Sequence, residues 1–213
     1  MGQGGSLARL VLLAAVFAGF SYIWPVVAQL NGPLWTLWKG AGVGLLAVWC
    51  VLQARSRNGW LIAAVMALGA AGDVLLETNG VSAGAAAFLT GHVVAIGLYL
   101  RNLRLEVTPS QISLAVLVVP FTLFLTWNLT RDGGVTLYAL FLSVMAATAW
   151  ISRFPRYRTG IGAMLFVASD LLIFARMGAL AGTVWISPAI WLLYFCGQLL
   201  IALGVVKSLV QRS

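Results

Sequence analysis

The chain has 213 residues, of which 62% are hydrophobic and only 8% charged, with a mean hydropathy of +0.99. These values lie far outside the range of a soluble globular domain and exclude that class. The net charge of +8 comes from basic residues spread singly and in pairs rather than grouped on one face, which argues against nucleic acid as a partner.

Apolar stretches long enough to cross a bilayer, about 20 residues each, fall near 7–24, 33–53, 60–78, 82–101, 110–128, 134–152, 159–177 and 185–207. They predict an all-α membrane protein of eight transmembrane helices, with 1–213 forming a single integral membrane domain. The first span has the basic and apolar regions of a signal peptide. Val26-Val27-Ala28-Gln29 is a poor cleavage site, however, so the span is expected to stay. Asn31-Gly32-Pro33 opens the second, which carries Lys39, Cys50 and the small residues Gly40, Gly42 and Gly44, suited to close helix approach. Arg57-Asn58-Gly59 leads into the third, with Asp73 deep inside and Glu77 near its end, and the fourth carries His92. Thr108-Pro109 marks the start of the fifth, and Asn128-Leu129-Thr130, a glycosylation pattern, lies too close to its end to carry weight. Asp132-Gly133-Gly134 precedes the sixth, which holds Tyr138. The seventh holds Asp170, and the eighth, entered through Ser187-Pro188, holds Tyr194, Cys196 and Gln198. Both cysteines are thus expected as buried small apolar residues, without a disulfide. The start, residues 1–6, matches the bare myristoylation pattern, which arises often by chance.

With a cytoplasmic N-terminus, Arg9, Arg55, Arg57, Arg101, Arg104, Arg153, Arg156, Arg158, Lys207 and Arg212 fall inside, and only Lys39, Arg131 and Arg176 fall outside. Ten against three is a strong positive-inside bias, and an even number of spans then puts the C-terminus in the cytoplasm as well. A multi-pass protein of a bacterial inner membrane is the expected setting.

Only five residues are acidic, and two of them, Asp73 and Asp170, lie within long apolar runs. A carboxylate away from water costs several kcal/mol or more unless paired, hydrated or protonated, so each marks a functional site by default. At 1.5 Å of rise per residue, Asp73 lies roughly 20 Å beyond Trp60 and Asp170 roughly 17 Å beyond Thr159, both in the outer half. His92 and Gln198 fall near the midplane, Tyr194 one turn above Gln198, and Lys39 and Tyr138 within two turns of the outer surface. Six spans therefore send polar groups into one layer, as a polar cavity open to the outer leaflet would require. Plainer readings exist for each residue. A membrane aspartate can pair with Lys39 or bond a neighbouring helix, Lys39 can snorkel outward with no partner, and Glu77, one turn from Asp73, can simply be solvated. His92, Tyr138, Tyr194 and Gln198 can each serve as helix glue.

The halves of the chain also echo each other. Ala71-Gly72-Asp73-Val74-Leu75-Leu76 aligns with Ala168-Ser169-Asp170-Leu171-Leu172-Ile173, and Gly91-His92 with Gly197-Gln198 one span later. A parallel duplication of a four-helix unit would place the aspartates equivalently.

Segments 69–76 (GAAGDVLL), 88–92 (FLTGH), 138–145 (YALFLSVM), 162–172 (GAMLFVASDLL) and 194–204 (YFCGQLLIALG), in that order, resemble the YhhN-like family of lysoplasmalogenases over about four-fifths of the chain. The ordered set Lys39, Asp73, His92, Tyr138, Asp170, Tyr194 and Gln198 carries the resemblance. Two features depart from it: Gly40 follows Lys39 where the family often has proline, and Ala95 and Ile96 stand where many members have an aromatic residue.

The resemblance implies hydrolysis of the vinyl ether bond of a single-chain ether phospholipid within the membrane lipid, giving a fatty aldehyde and a glycerophosphoethanolamine or glycerophosphocholine. Such a bond is cleaved by protonating carbon and adding water to the resulting oxocarbenium ion, which calls for one neutral carboxylic acid and one ionised carboxylate. Asp73 and Asp170 are the expected catalytic pair, sharing a proton if close enough. Tyr138 or Tyr194 would stabilise the ion, and Lys39 and His92 would bind the phosphate, with Gln198 completing the substrate site. No cofactor is expected, although His92, Asp73 and Asp170 are also ligand types that suit a catalytic zinc. The rival classes are a proton-coupled transporter, whose relays use such residues, and an intramembrane aspartyl protease, for which Gly69-Ala70-Ala71-Gly72-Asp73 is a partial match.

Overall fold

A computed structural model describes residues 3–211, and among them the secondary structure is helical apart from turns and one isolated antiparallel bridge between Leu103 and Ser152. The helices are α1 (Gln3–Ser21), α2 (Ile23–Val27), α3 (Pro33–Gln53), α4 (Arg57–Thr78), α5 (Val81–Leu100), α6 (Pro109–Thr130), α7 (Gly133–Ile151), α8 (Ile161–Arg176) and α9 (Ile186–Val210). Among the described residues eight spans are long and apolar enough to cross a membrane, with α1 and α2 together forming the first, Gly5–Val27, and Arg156–Arg176 the seventh. This is a multi-pass integral membrane protein. Met1 and Gly2 of the myristoylation pattern, and Arg212 of the inside set, lie outside the described residues.

The ends of the spans follow from local chemistry. Pro33 occupies the first turn of α3 behind Gly32, whose φ of 126° only glycine adopts easily. The Ser56 hydroxyl accepts from the Gly59 amide at 3.3 Å and so caps α4. Thr108 and Gln111 form a reciprocal capping box on α6, with Pro109 just inside. Asp132 caps α7 through the Val135 amide at 2.9 Å. Two irregularities were not legible in the hydropathy: the break between α1 and α2 at Tyr22, just ahead of Pro25, and a π-helical turn, Arg156–Gly160, that leads into α8.

Successive spans run in opposite directions, so the connections α3–α4, α5–α6 and α7–α8 share one end of the bundle, called here the basic end. Asn58 Nδ2 donates to Asn102 Oδ1 at 3.0 Å there, and the amides of Arg104 and Arg153 donate to Ile151 and Asn102 carbonyls at 3.2 and 2.7 Å. These bonds tie the ends of α4, α5 and α7 together.

α9 lies against α3, α4 and α8, while α6 is peripheral and packs mainly on α7 and α8. Close approach fixes the α8–α9 contact: a Cβ on Gly162 would stand 2.7 Å from the Gly197 carbonyl, and one on Gly197 would stand 2.7 Å from the Gly162 carbonyl. Without a water-driven hydrophobic force, such backbone contact is how spans hold one another. α1 closes the back of α9, with Trp191 Nε1 donating to the Gly19 carbonyl at 2.7 Å.

Candidate active site

The polar side chains meet between α4, α5, α7, α8 and α9, toward the end opposite the basic one. Asp73 (2% exposed) and Asp170 (5% exposed) are both buried, as are His92, Tyr194 and Gln198, while Tyr138 and Lys39 are half-buried. Each carboxylate has its own phenol. Tyr194 on α9 donates to Asp73 Oδ2 at 2.8 Å, and Tyr138 on α7 donates to Asp170 Oδ2 at 2.7 Å. The Gly69 carbonyl, at 3.5 Å from the Tyr194 hydroxyl, sits at the limit of bonding distance, so Asp73 is the effective acceptor.

His92 Nε2 lies 3.2 Å from the Tyr138 hydroxyl. With Asp170 ionised, that hydroxyl gives its one proton to the carboxylate, and His92 Nε2 is then the donor to the same oxygen. A directed chain thus runs from His92 through Tyr138 to Asp170. Gln198 joins from α9: a Cβ on Gly69 would meet its Nε2 at 2.9 Å and the Tyr194 hydroxyl at 3.5 Å. Gly69 therefore leaves the space that both groups occupy.

Among the described residues no hydrogen bond joins the two carboxylates; each is held by a separate tyrosine. Phe88 and Phe166 stand in this region, edge to face with Tyr194 at centroid distances of 5.8 and 5.2 Å, and Phe166 also meets His92 at 5.1 Å. Direct proton sharing, expected if the aspartates were close, gives way to two carboxylate–phenol pairs. Nor do His92, Asp73 and Asp170 gather as a zinc set, since no group of three or more His, Cys, Asp or Glu among the described residues stands close enough to hold a metal ion.

Lys39 neither snorkels alone nor bonds Asp73. Its Nζ donates to Glu77 Oε1 at 2.6 Å, and the lysine is the less exposed partner, at 16% against 41%. Glu77, one turn beyond Asp73 and expected to be merely solvated, is instead tied to the site's cation. Phe166 and Phe174 were not singled out in the sequence, although the signal was present: they stand four residues before and four after Asp170, and Phe174 meets the Tyr138 ring edge to face at 6.3 Å. Cys50 is buried as expected, whereas Cys196 is only half-buried, and both thiols are free.

A multi-pass membrane protein whose polar site lies between its helices, built on two buried carboxylates, is the class that fold and site define. Within that class, the chain belongs to the YhhN family, whose family model matches residues 34–205, from α3 into α9. Two curated proteins named lysoplasmalogenase, from Mycobacterium bovis and Mycobacterium tuberculosis, are each 34% identical over 158 residues. The match covers 68% of this chain and 59% of either relative's length. No solved structure matches the chain.

Proposed function

We infer that the protein is a lysoplasmalogenase, hydrolysing the vinyl ether bond of a single-chain ether phospholipid drawn from the bilayer. The observation that carries this reading is the pair of buried carboxylates, each held by a tyrosine at 2.7 or 2.8 Å around one aromatic-lined site. The two relatives named lysoplasmalogenase support it.

The protonated carboxyl of the pair gives its proton to the vinyl carbon distal to oxygen, leaving an oxocarbenium ion next to the ionised partner. That partner then takes a proton from water as the water adds to the cation, giving a hemiacetal. Collapse returns both groups to their starting states: the first carboxylate accepts the hemiacetal hydroxyl proton, and the second carboxyl protonates the departing glycerol oxygen. The cycle consumes one water and needs no external acid. Developing positive charge in a water-poor site is stabilised by the fixed carboxylate, whose orientation its tyrosine holds. In this reading Lys39 binds the substrate phosphate, with Glu77, its ion-pair partner at 2.6 Å, as the resting partner. His92, Tyr138, Tyr194 and Gln198 complete the substrate site.

The same reading puts the basic end in the cytoplasm of a bacterial inner membrane, with both termini inside, and treats the Asp73 and Asp170 spans as equivalent members of a duplicated four-helix unit. Aldehyde release from choline and ethanolamine lysoplasmalogens by protein purified in detergent tests the function, because a transporter produces no aldehyde there. Asp73→Asn and Asp170→Asn should each lower the rate by roughly 10²- to 10⁴-fold, the usual worth of a positioned acid or base. Full activity in either folded variant would sink the carboxylate mechanism.

A further inference from the structure

Lys39 and Glu77 meet where α3 begins and α4 ends, at the end of the bundle opposite the basic one, with Nζ and Oε1 2.6 Å apart. The lysine side chain is 16% exposed and the glutamate 41%, so the cation is the inner member of the pair and the anion the outer one. Glu77 follows Asp73 by one turn of α4, roughly 6 Å nearer that end. On α3, Trp35 precedes Lys39 by one turn and so lies beyond it on the same helix face. Its ring is 6.1 Å from that of Trp24, which is 61% exposed. Going outward from Asp73, the order is thus cation, anion and an aromatic pair.

A phosphate that takes Lys39 leaves Glu77 without its counter-ion. One lysine, one glutamate and one phosphate then carry a net negative charge, and two anions side by side in a partly buried place repel each other. Neutrality returns only if the ligand brings a positive charge of its own, just outside its phosphate. A choline or ethanolamine head group has that arrangement, with phosphate on the glycerol side and the ammonium one ethylene bridge further out. We propose that Glu77 binds the head-group ammonium, so that the site selects phospholipids with a zwitterionic head group over those with an anionic one. The inference rests on the hydrolase reading above and names the head-group class that the same site takes. In the free protein Glu77 pairs with Lys39; in the complex each finds the opposite charge on the lipid, so ion pairs are exchanged rather than lost. Trp24 and Trp35 offer the ammonium a cation–π contact at the same level.

The test measures kcat/KM for lysoplasmalogens that share one alkenyl chain and carry phosphocholine, phosphoethanolamine or phosphoglycerol. Wild type should favour the two zwitterionic lipids by about fivefold or more, a modest ratio because Glu77 is partly open to water. Glu77→Gln keeps a hydrogen-bonding partner for Lys39 and should abolish the preference; Glu77→Lys should reverse it. A general loss with the preference unchanged overturns the assignment of Glu77. Equal rates on all the head groups in the wild type overturn it even if neither variant folds. The saturated O-hexadecyl analogues, which have no vinyl ether to cleave, separate binding from chemistry. In a non-ionic detergent the choline analogue should raise the unfolding temperature of the wild type more than the phosphoglycerol one does, and the two should act alike on Glu77→Gln. No aldehyde from any lipid, with that difference in unfolding present, overturns the hydrolase reading and leaves the head-group assignment standing. Aldehyde without head-group preference does the opposite.

Discussion

Each buried carboxyl group accepts one bond from a phenol; the bond to the ionised member is charge-assisted and contributes about 1.5–3 kcal/mol, against about 1 for a neutral one. Tyr138→Phe and Tyr194→Phe should therefore each cut aldehyde release by roughly 10- to 100-fold while the fold is retained. Each phenol has a second side-chain partner, His92 Nε2 at 3.2 Å for Tyr138 and Gln198 for Tyr194. Loss of either phenol leaves a second buried side chain, His92 or Gln198, without its partner, so both variants should lower thermal stability, measured by unfolding in detergent. An unchanged unfolding temperature in either variant would show that its second contact carries nothing. At this scale the sequence was informative about which residues matter and poor on who bonds whom. Asp73, Asp170, Tyr138 and Tyr194 stood out as polar groups at shared depth, yet the pairing of α4 with α9 and of α7 with α8 depends on how each helix is rotated.

Rotation is what hydropathy cannot report for such helices. A span apolar all round has no polar face to orient it, so its depth can be counted from the rise per residue while its facing direction cannot. That is why the eight spans were readable to within a few residues, and why the Lys39–Glu77 pair, which needs α3 and α4 to face each other at one level, was not. The packing itself depends on particular glycines. Gly162→Ala and Gly197→Ala each push a methyl to 2.7 Å from the other helix's carbonyl, a clash that can be relieved only by separating α8 from α9. Either should cost about 1–3 kcal/mol and reduce activity, since Asp170, Tyr194 and Gln198 ride on those two helices. Gly97→Ala on α5 is the control: no atom lies within 4 Å of the new methyl, and its gain in helix propensity should hold or raise the unfolding temperature. A drop for Gly97→Ala matching that for Gly162→Ala would show that the loss is not due to helix contact.

Across the whole molecule, the distribution of arginine and lysine predicts which end faces the cytoplasm. Asn79→Cys, between α4 and α5, should react with a membrane-impermeant maleimide in intact cells, whereas Glu106→Cys, between α5 and α6, should react only after the membrane is opened; the reverse pattern would invert the orientation. The bond from Tyr194 to Asp73 spans 121 positions in the chain. Helices enter the bilayer in order of synthesis, so Asp73 crosses long before its phenol exists; an aspartate costs about 2.5–3.5 kcal/mol to insert at the centre of a span and less at Asp73, five residues from the end of α4. Biogenesis thus passes through a state in which α4 carries an unsatisfied acid that only the last helix relieves. A chain cut short before Ile186 would keep that acid in the membrane without the phenol that holds it.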